Sequence, residues 1–170
     1  RPNISIITNV GTAHIEHMGS RAAIGLEKGT LARMLDEKGT LLVPSDCDFL
    51  DDFRASTPAK VIVTGEGSVR AENIVPGESG STFDLVIDDL GRIPTSISVA
   101  GKHMVSNALL AAGAGSVLGL TLAEISEGLK KAELTSGRLR LFQSGGVTVI
   151  DDTYNANPES VIAALETLAN

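Results

Sequence analysis

A short polar stretch near the carboxyl end carries the densest set of chemically active side chains. Residues 151–158 read DDTYNANP, which places two carboxylates, a phenol and two carboxamides in one turn. The apolar run before it, 147–150, predicts a buried strand, and residues 159–168 predict an amphipathic helix. Loops that lead from a strand into a helix are where α/β folds bind ligands. We therefore predict a binding loop here, with a short Asx-rich turn as the alternative.

Part of this stretch has a local structural explanation. Pro158 suits the first position of a helix, and the Asn157 side chain can cap the same helix. No such role explains Asp151, Asp152, Tyr154 and Asn155.

A histidine and a lysine near the amino end form a second candidate pair. His14 lies in a loop, 9–19, that follows an apolar strand, and Lys28 lies on the next predicted helix. The local pattern alone is also typical of an ordinary loop histidine and a solvated lysine, which is the alternative interpretation. The neighbouring Gly29 costs a helix about 1 kcal/mol relative to alanine, which indicates a close approach to the helix at that point.

The elements that must position these residues alternate along the first part of the chain. Strands are predicted at 4–8, 40–43 and Lys60–Thr64, and helices at 21–35 (capped by Ser20) and 46–55. This order predicts a parallel sheet with crossover helices. Three further strand-like runs are joined by glycine-containing turns and predict an appended antiparallel β-meander at 69–75, 81–87 and 93–99.

Two helices and a second unit complete the predicted α/β fold. The helices cover 104–118 and about 121–131, the second with a capping box of Thr121 and Glu124. A strand is predicted at 141–143, and Gly145-Gly146 is predicted to be a hinge. We therefore predict one domain over 1–143, and over 144–170 the first strand–helix unit of a Rossmann-like domain, because a lone strand and helix cannot form a core.

Composition excludes several classes of function. The net charge is −7, whereas a nucleic-acid surface needs clustered lysine and arginine. The single cysteine, Cys47, cannot form an internal disulfide, and there is no Cys/His cluster for zinc. The longest apolar run, 108–120, is too short and too glycine-rich to span a bilayer, and there is no signal peptide. We expect a cytoplasmic protein that binds neither nucleic acid nor membrane.

The sequence lacks the common phosphate-binding loops. It contains no G-x-x-x-x-G-K-[ST], and the broken G-x-G-x-x-G at 65–70 lies between two strands rather than before a helix. The chain starts with Arg1-Pro2-Asn3 and enters a strand at once, so we expect it to be part of a longer protein.

Four motifs, taken in order, resemble the Mur ligase family. They are TNVGTAHIE at 8–16 with the following Lys28-Gly29 pair, GKHMVSNA at 101–108, GRL at 137–139, and DDTYNANP at 151–158. Their order and spacing extend the resemblance over essentially the whole chain. The last motif is similar to the subfamily that adds D-Ala-D-Ala to the peptidoglycan precursor, whereas other family members have DYAHTP or DGAHNP there.

The resemblance implies catalytic and metal-binding roles for the first pair. His14 would lie at a magnesium site, and Lys28 would be carbamoylated by carbon dioxide. A carbamate is a carboxylate-like oxygen ligand, which magnesium prefers. Its formation requires a neutral amine, so the site must lower the pKa of Lys28 by burial or by nearby cations.

The resemblance also implies a nucleotide site. The Asn107 carboxamide, which both donates and accepts, would hold the adenine of ATP, and Arg138 would reach its phosphates or ribose. The plainer interpretations are an asparagine facing water at a helix start and a surface arginine in a linker. Met104 stands where the family usually has asparagine, which removes one polar contact. From the following domain the last loop would add Asp152, Tyr154 and Asn155.

The implied reaction is ATP-dependent amide formation. The carboxylate of UDP-N-acetylmuramoyl-tripeptide would take the γ-phosphate of ATP, and the amine of D-Ala-D-Ala would displace phosphate from the acyl phosphate. The resemblance further implies a monomer that acts on small molecules. Two alternatives are another ligase of the superfamily, such as folylpolyglutamate or cyanophycin synthetase, and a non-catalytic binding module. Without a phosphate-binding loop, we expect the 170-residue chain alone to be inactive.

Overall fold

Residues 1–77, 80–133 and 137–169 are described by a computed structural model of the chain. Within these residues, six strands form one sheet, and their order across the sheet is the same as their order along the chain. They are β1 (Ile4–Ile6), β2 (Thr40–Pro44), β3 (Lys60–Thr64), β4 (Val69–Gly77), β5 (Gly80–Ile87) and β6 (Gly91–Ile97). β1 to β4 pair in parallel, and β5 is antiparallel to both of its neighbours, β4 and β6. The predicted parallel sheet with an appended meander is confirmed.

Helices cover both faces of the sheet around β2. They are α1 (Ile15–Met18), α2 (Arg21–Lys28), α3 (Thr30–Arg33), α4 (Leu50–Ala55), α5 (Lys102–Val117) and α6 (Leu122–Lys130). Because side chains of a strand alternate between faces, Leu41 and Val43 pack with α2 to α4, and Leu42 packs with α5 and α6. β2 is buried along its whole length, as is typical of parallel strands covered on both sides.

The predicted helix over 21–35 is divided at Gly29. Ser20 caps α2 as expected, its hydroxyl accepting from the Ala23 N–H at 3.1 Å. A Cβ on Gly29 would lie 3.2 Å from the Phe53 ring, so the predicted close approach is confirmed and its partner is a core aromatic side chain of α4. α4 itself begins at Leu50, later than predicted.

The capping box of α6 is present as predicted. The Thr121 hydroxyl accepts from the Glu124 N–H, and the Glu124 carboxylate accepts from the Thr121 N–H at 2.8 Å. α6 then places Ile125 and Leu129 in the core beneath α5.

The carboxyl-terminal segment differs from prediction in one respect. β7 (Arg140–Ser144) and β8 (Val147–Asp151) form an antiparallel hairpin, and Gly145-Gly146 is its two-residue turn rather than a hinge. Both glycines have positive φ, 58° and 78°, which such tight turns require. The strand predicted to be buried at 147–150 is not fully buried anywhere: residues 147 and 148 are exposed and residues 149 and 150 are half-buried, and β7 is its single partner among the described residues. The predicted domain boundary at 143/144 therefore falls within a paired strand.

Helix α7 (Pro158–Ala169) follows the polar stretch and begins at Pro158, as predicted. Along the described ranges of the chain, no helix is both long and apolar enough to cross a membrane.

Candidate functional site

A cavity of about 1690 Å³ lies at the carboxyl ends of the parallel strands. Its walls include the loop after β1 (9–12), the loop after β2 (46–48), the start of α5 (101–107) and one side of α7. Open α/β sheets bind their ligands at this edge, because the connecting loops of several strands converge there. Polar groups that are distant in sequence therefore face one shared space.

Lys28 is anchored to the loop after β1. Its Nζ donates to the Asn9 carbonyl oxygen at 2.7 Å and lies 3.4 Å from Asn9 Oδ1. Burial lowers the pKa of the Lys28 ammonium group, an effect partly opposed by the nearby Cys47. Burial also raises the pKa of the Cys47 thiol, so the thiol is uncharged at neutral pH and its opposition is small there. The direction of the Lys28 shift is the one that carbamoylation requires.

His14 lies on the loop after β1, to which Lys28 of α2 is hydrogen-bonded. It adopts a left-handed conformation, φ 64° and ψ 19°, immediately before α1, and its side chain is exposed. Over the described residues, no group of three His, Cys, Asp or Glu side chains could hold a metal ion. Magnesium takes about six oxygen ligands.

The start of α5 presents Asn107 to the cavity. Asn107 is exposed, and its Nδ2 lies 3.6 Å from the sulfur of Met104, one turn earlier. The Asn107 amide therefore donates to the Met104 thioether. His103, on the same turn, is half-buried, and desolvation lowers its pKa against the opposing influence of Asp152 and Glu166.

Three candidates from two motifs, Arg138, Asp152 and Tyr154, meet beside the cavity. The Arg138 guanidinium lies over the Tyr154 ring, 4.2 Å from its centre. The Tyr154 N–H donates to the Gly137 carbonyl at 2.9 Å, and Asp152 Oδ1 accepts from the Leu139 N–H at 3.2 Å. The GRL motif and the polar stretch thus form one unit, in which Asp152 and Tyr154 position the segment that carries Arg138.

The rest of the polar stretch is partly structural. Asp151 Oδ1 accepts from both the N–H and the hydroxyl of Thr153, which is the Asx turn weighed as the alternative. Asn157 Oδ1 accepts from the Ser160 N–H at 2.9 Å and caps α7, as predicted. Asn155 is exposed.

Of the predicted site residues in the described chain, Asn107 and Arg138 line the cavity. Its lining does not include His14, Lys28, Asp152, Tyr154 and Asn155. Sequence reasoning missed Arg21, whose Nη1 pairs with Asp48 at 2.6 Å and whose Nε donates to the Val10 carbonyl at 2.8 Å. It also missed the contact of Thr12 with Glu159. No local pattern indicates these pairs, because their members are far apart in sequence.

A sequence model of the Mur ligase middle domain matches residues 1–115. The chain belongs to the Mur ligase family. This result confirms the predicted family. The Mur ligase match ends within α5, so it contains the His14, Lys28 and Asn107 motifs and stops before Arg138.

Known relatives extend the similarity to the whole chain. The UDP-N-acetylmuramoyl-tripeptide–D-alanyl-D-alanine ligase of Haemophilus influenzae is 34% identical over 170 residues, covering 99% of this chain and 37% of that protein. A crystal structure of MurF from Acinetobacter baumannii matches with a TM-score of 0.94 at 34% identity, over 99% of this chain and 37% of the other. MurF from Thermotoga maritima, solved in complex with ADP, shares the fold with a TM-score of 0.82 at 23% identity, over 99% and 39%. The chain spans little more than a third of the length of these Mur ligases.

Proposed function

We propose that this chain is part of a MurF-type ligase, which joins D-Ala-D-Ala to UDP-N-acetylmuramoyl-tripeptide at the expense of ATP. The observation that carries the proposal is 34% identity to the Haemophilus influenzae enzyme through 99% of the chain. The polar stretch at 151–158 supports the same subfamily, because its Tyr154-Asn155 pair differs from the loops of the folate and diaminopimelate ligases.

The nucleotide site in this proposal is formed by Asn107 and Arg138. Both line the cavity, and a carboxamide at the start of α5 can donate to and accept from a purine edge. Arg138 keeps its fork of donors for phosphate or ribose, while Tyr154 holds the guanidinium plane by stacking. Asp152 fixes the backbone beside Arg138 through Leu139, and Asn155 extends the same turn toward solvent.

In the proposed reaction, a substrate carboxylate attacks the γ-phosphate of ATP, ADP leaves, and an acyl phosphate forms. The amine of D-Ala-D-Ala then attacks the acyl carbon, and phosphate leaves. Neither step needs a covalent bond to the protein, so catalysis depends on positioning and on neutralising charge.

Lys28 fits the proposed carbamate chemically. The lowered pKa favours the neutral amine that reacts with carbon dioxide. A carbamate retains one N–H, which can keep the present bond to the Asn9 carbonyl while its two oxygens become available as ligands. Lys28 and His14 would then contribute two donors toward magnesium, which neutralises phosphate charge when bound.

The test is phosphate release by the complete protein with UDP-N-acetylmuramoyl-tripeptide and ATP, with and without D-Ala-D-Ala. Release that depends on D-Ala-D-Ala is the expected result. Release that depends instead on glutamate with a folate would assign the chain to another ligase of the superfamily. Release that none of these substrates stimulates would favour a non-catalytic module.

A further inference from the structure

The carboxylate of Glu159, on the first turn of α7, is bound by the loop after β1. Its Oε1 accepts from the Thr12 N–H at 3.1 Å, and its Oε2 accepts from the Thr12 hydroxyl at 2.7 Å. A Cβ on Gly11 would lie 3.7 Å from the same carboxylate, so the loop approaches it closely with backbone alone. Two donors matched to two oxygens form a geometry that recognises an oxyanion.

A positive charge stands near this pair of donors. Arg21 is held by the Val10 carbonyl and by Asp48, and it faces the same cavity as Gly11, Thr12 and Glu159. The bonds from Thr12, and more weakly the charge of Arg21, lower the pKa of Glu159, so its carboxyl is ionised at neutral pH. The loop therefore offers an anion two hydrogen bonds and a fixed cation nearby.

We propose that Thr12 and Arg21 form an oxyanion-binding site, for a carboxylate or phosphate group, and that Glu159 is its internal competitor. An external anion and the docked start of α7 use the same two donors, so they exclude each other. The site would couple the arrival of an anionic ligand in the cavity to release of α7 from the loop. This inference does not depend on the reaction proposed above.

The competition has a measurable consequence. A tethered carboxylate acts at an effective concentration in the millimolar range, so free anions compete with it poorly. Removing it exposes the donors without altering the loop. Glu159→Ala should therefore increase the affinity for oxyanions, whereas a merely structural contact would give no such gain.

The experiment follows the backbone amide resonance of residue 12 in the isotopically labelled chain during titration with inorganic phosphate. We expect the midpoint in Glu159→Ala to be lower than in the wild type by roughly fivefold or more. Glu159→Gln keeps one acceptor and should give an intermediate midpoint. Thr12→Val, combined with Glu159→Ala, removes the hydroxyl donor and should return the midpoint toward the wild-type value.

Glu37→Ala is the matched control, since Glu37 is exposed and outside the cavity lining, and its loss changes the net charge equally. Acetate is titrated in parallel. Saturation by both anions assigns the site to oxyanions in general, and saturation by phosphate alone assigns it to phosphoryl groups. If Glu159→Ala responds no more than Glu37→Ala to either anion, the proposal is wrong.

Discussion

Lys28 makes a short hydrogen bond, but its partly buried position disfavours its positive charge. Its amine is fixed on Asn9, while burial disfavours the ammonium form. The pKa in the folded chain is below that in the unfolded chain, so Lys28 opposes folding at neutral pH, and this opposition fades as pH rises toward 10.5. Such an arrangement is typical of residues kept for chemistry rather than for stability.

Lys28→Gln in the complete protein should therefore separate activity from stability. We expect the rate of D-Ala-D-Ala-dependent phosphate release to fall about a hundredfold, because the variant cannot form the carbamate. The thermal midpoint should change little, since the lost bond to Asn9 is offset by the lost charge. Lys38→Gln, an exposed lysine, is the control. Retained activity in Lys28→Gln would reject the proposed role.

His103 should give the chain a pH-dependent stability. Desolvation lowers its pKa in the folded state below the ordinary 6.5, so at lower pH the unfolded state binds the proton more readily. The contribution of His103 to stability is therefore lost as pH falls from about 6.5 through the folded pKa. Asp152 and Glu166 reduce this loss because their charges favour the imidazolium.

The measurement is urea denaturation of the wild type and His103→Gln between pH 8 and pH 5. The free energy of unfolding should fall less steeply in His103→Gln as the solution is acidified. At pH 8 the imidazole is neutral in both states, so comparison there isolates the packing effect. Parallel curves down to pH 5 would contradict the burial argument.

At the scale of elements, α5 depends on glycine where it crosses β2. A Cβ on Gly113 would lie 2.4 Å from a methyl carbon of Leu42, which is fully buried. Gly113→Ala should destabilise the chain by about 1–3 kcal/mol, because a packed core cannot accept the extra methyl group without strain. Calorimetric or urea unfolding measures this change.

Gly128 provides the matched control in α6. It is also a helical glycine, but nothing lies within 4 Å of a Cβ at that position. Gly128→Ala should stabilise the chain by roughly 0.5–1 kcal/mol through helix propensity alone. The same substitution is thus expected to have opposite signs in the two helices, and equal signs would disprove the crossing argument.

Elements governed by local sequence were predictable. The capping box of α6 and the Asn157 cap of α7 involve residues three apart. The apolar run of β2 is buried because helices cover both faces of the sheet there. The partner in the close approach at Gly29 was less accessible, because the Phe53 ring comes from another helix. The sequence Gly145-Gly146 is compatible with a hinge between domains and with a tight turn between strands. Only the pairing of β7 with β8 shows that it is a turn.

The same reasoning applies to the site. The order of the motifs predicted that Asn107 and Arg138 belong to one site, and both residues line the cavity. The contact of Thr12 with Glu159 joins residues 147 positions apart, and threonine and glutamate are common on any surface. Such a pair emerges only from the packing of α7 on the loop after β1.

At the scale of the whole molecule, the chain carries only part of the nucleotide site that we propose. It supplies Asn107 and Arg138 but contains no G-x-x-x-x-G-K-[ST] loop to hold phosphates. We expect the isolated chain to bind ATP with a dissociation constant above about 100 μM, or less than about 5.5 kcal/mol of binding free energy. Titration calorimetry measures this directly, and micromolar binding would show that the phosphates have another site.

The order of the strands has a consequence for synthesis. Because every strand of the larger sheet pairs with the one that precedes it, each finds its neighbour already present as the chain leaves the ribosome. The face that contains Leu42 and Leu85 must nevertheless wait for α5, which is made after all six strands. Until α5 has emerged in full, the nascent chain displays an uncovered apolar sheet, which is the kind of surface that makes incompletely folded chains prone to aggregate.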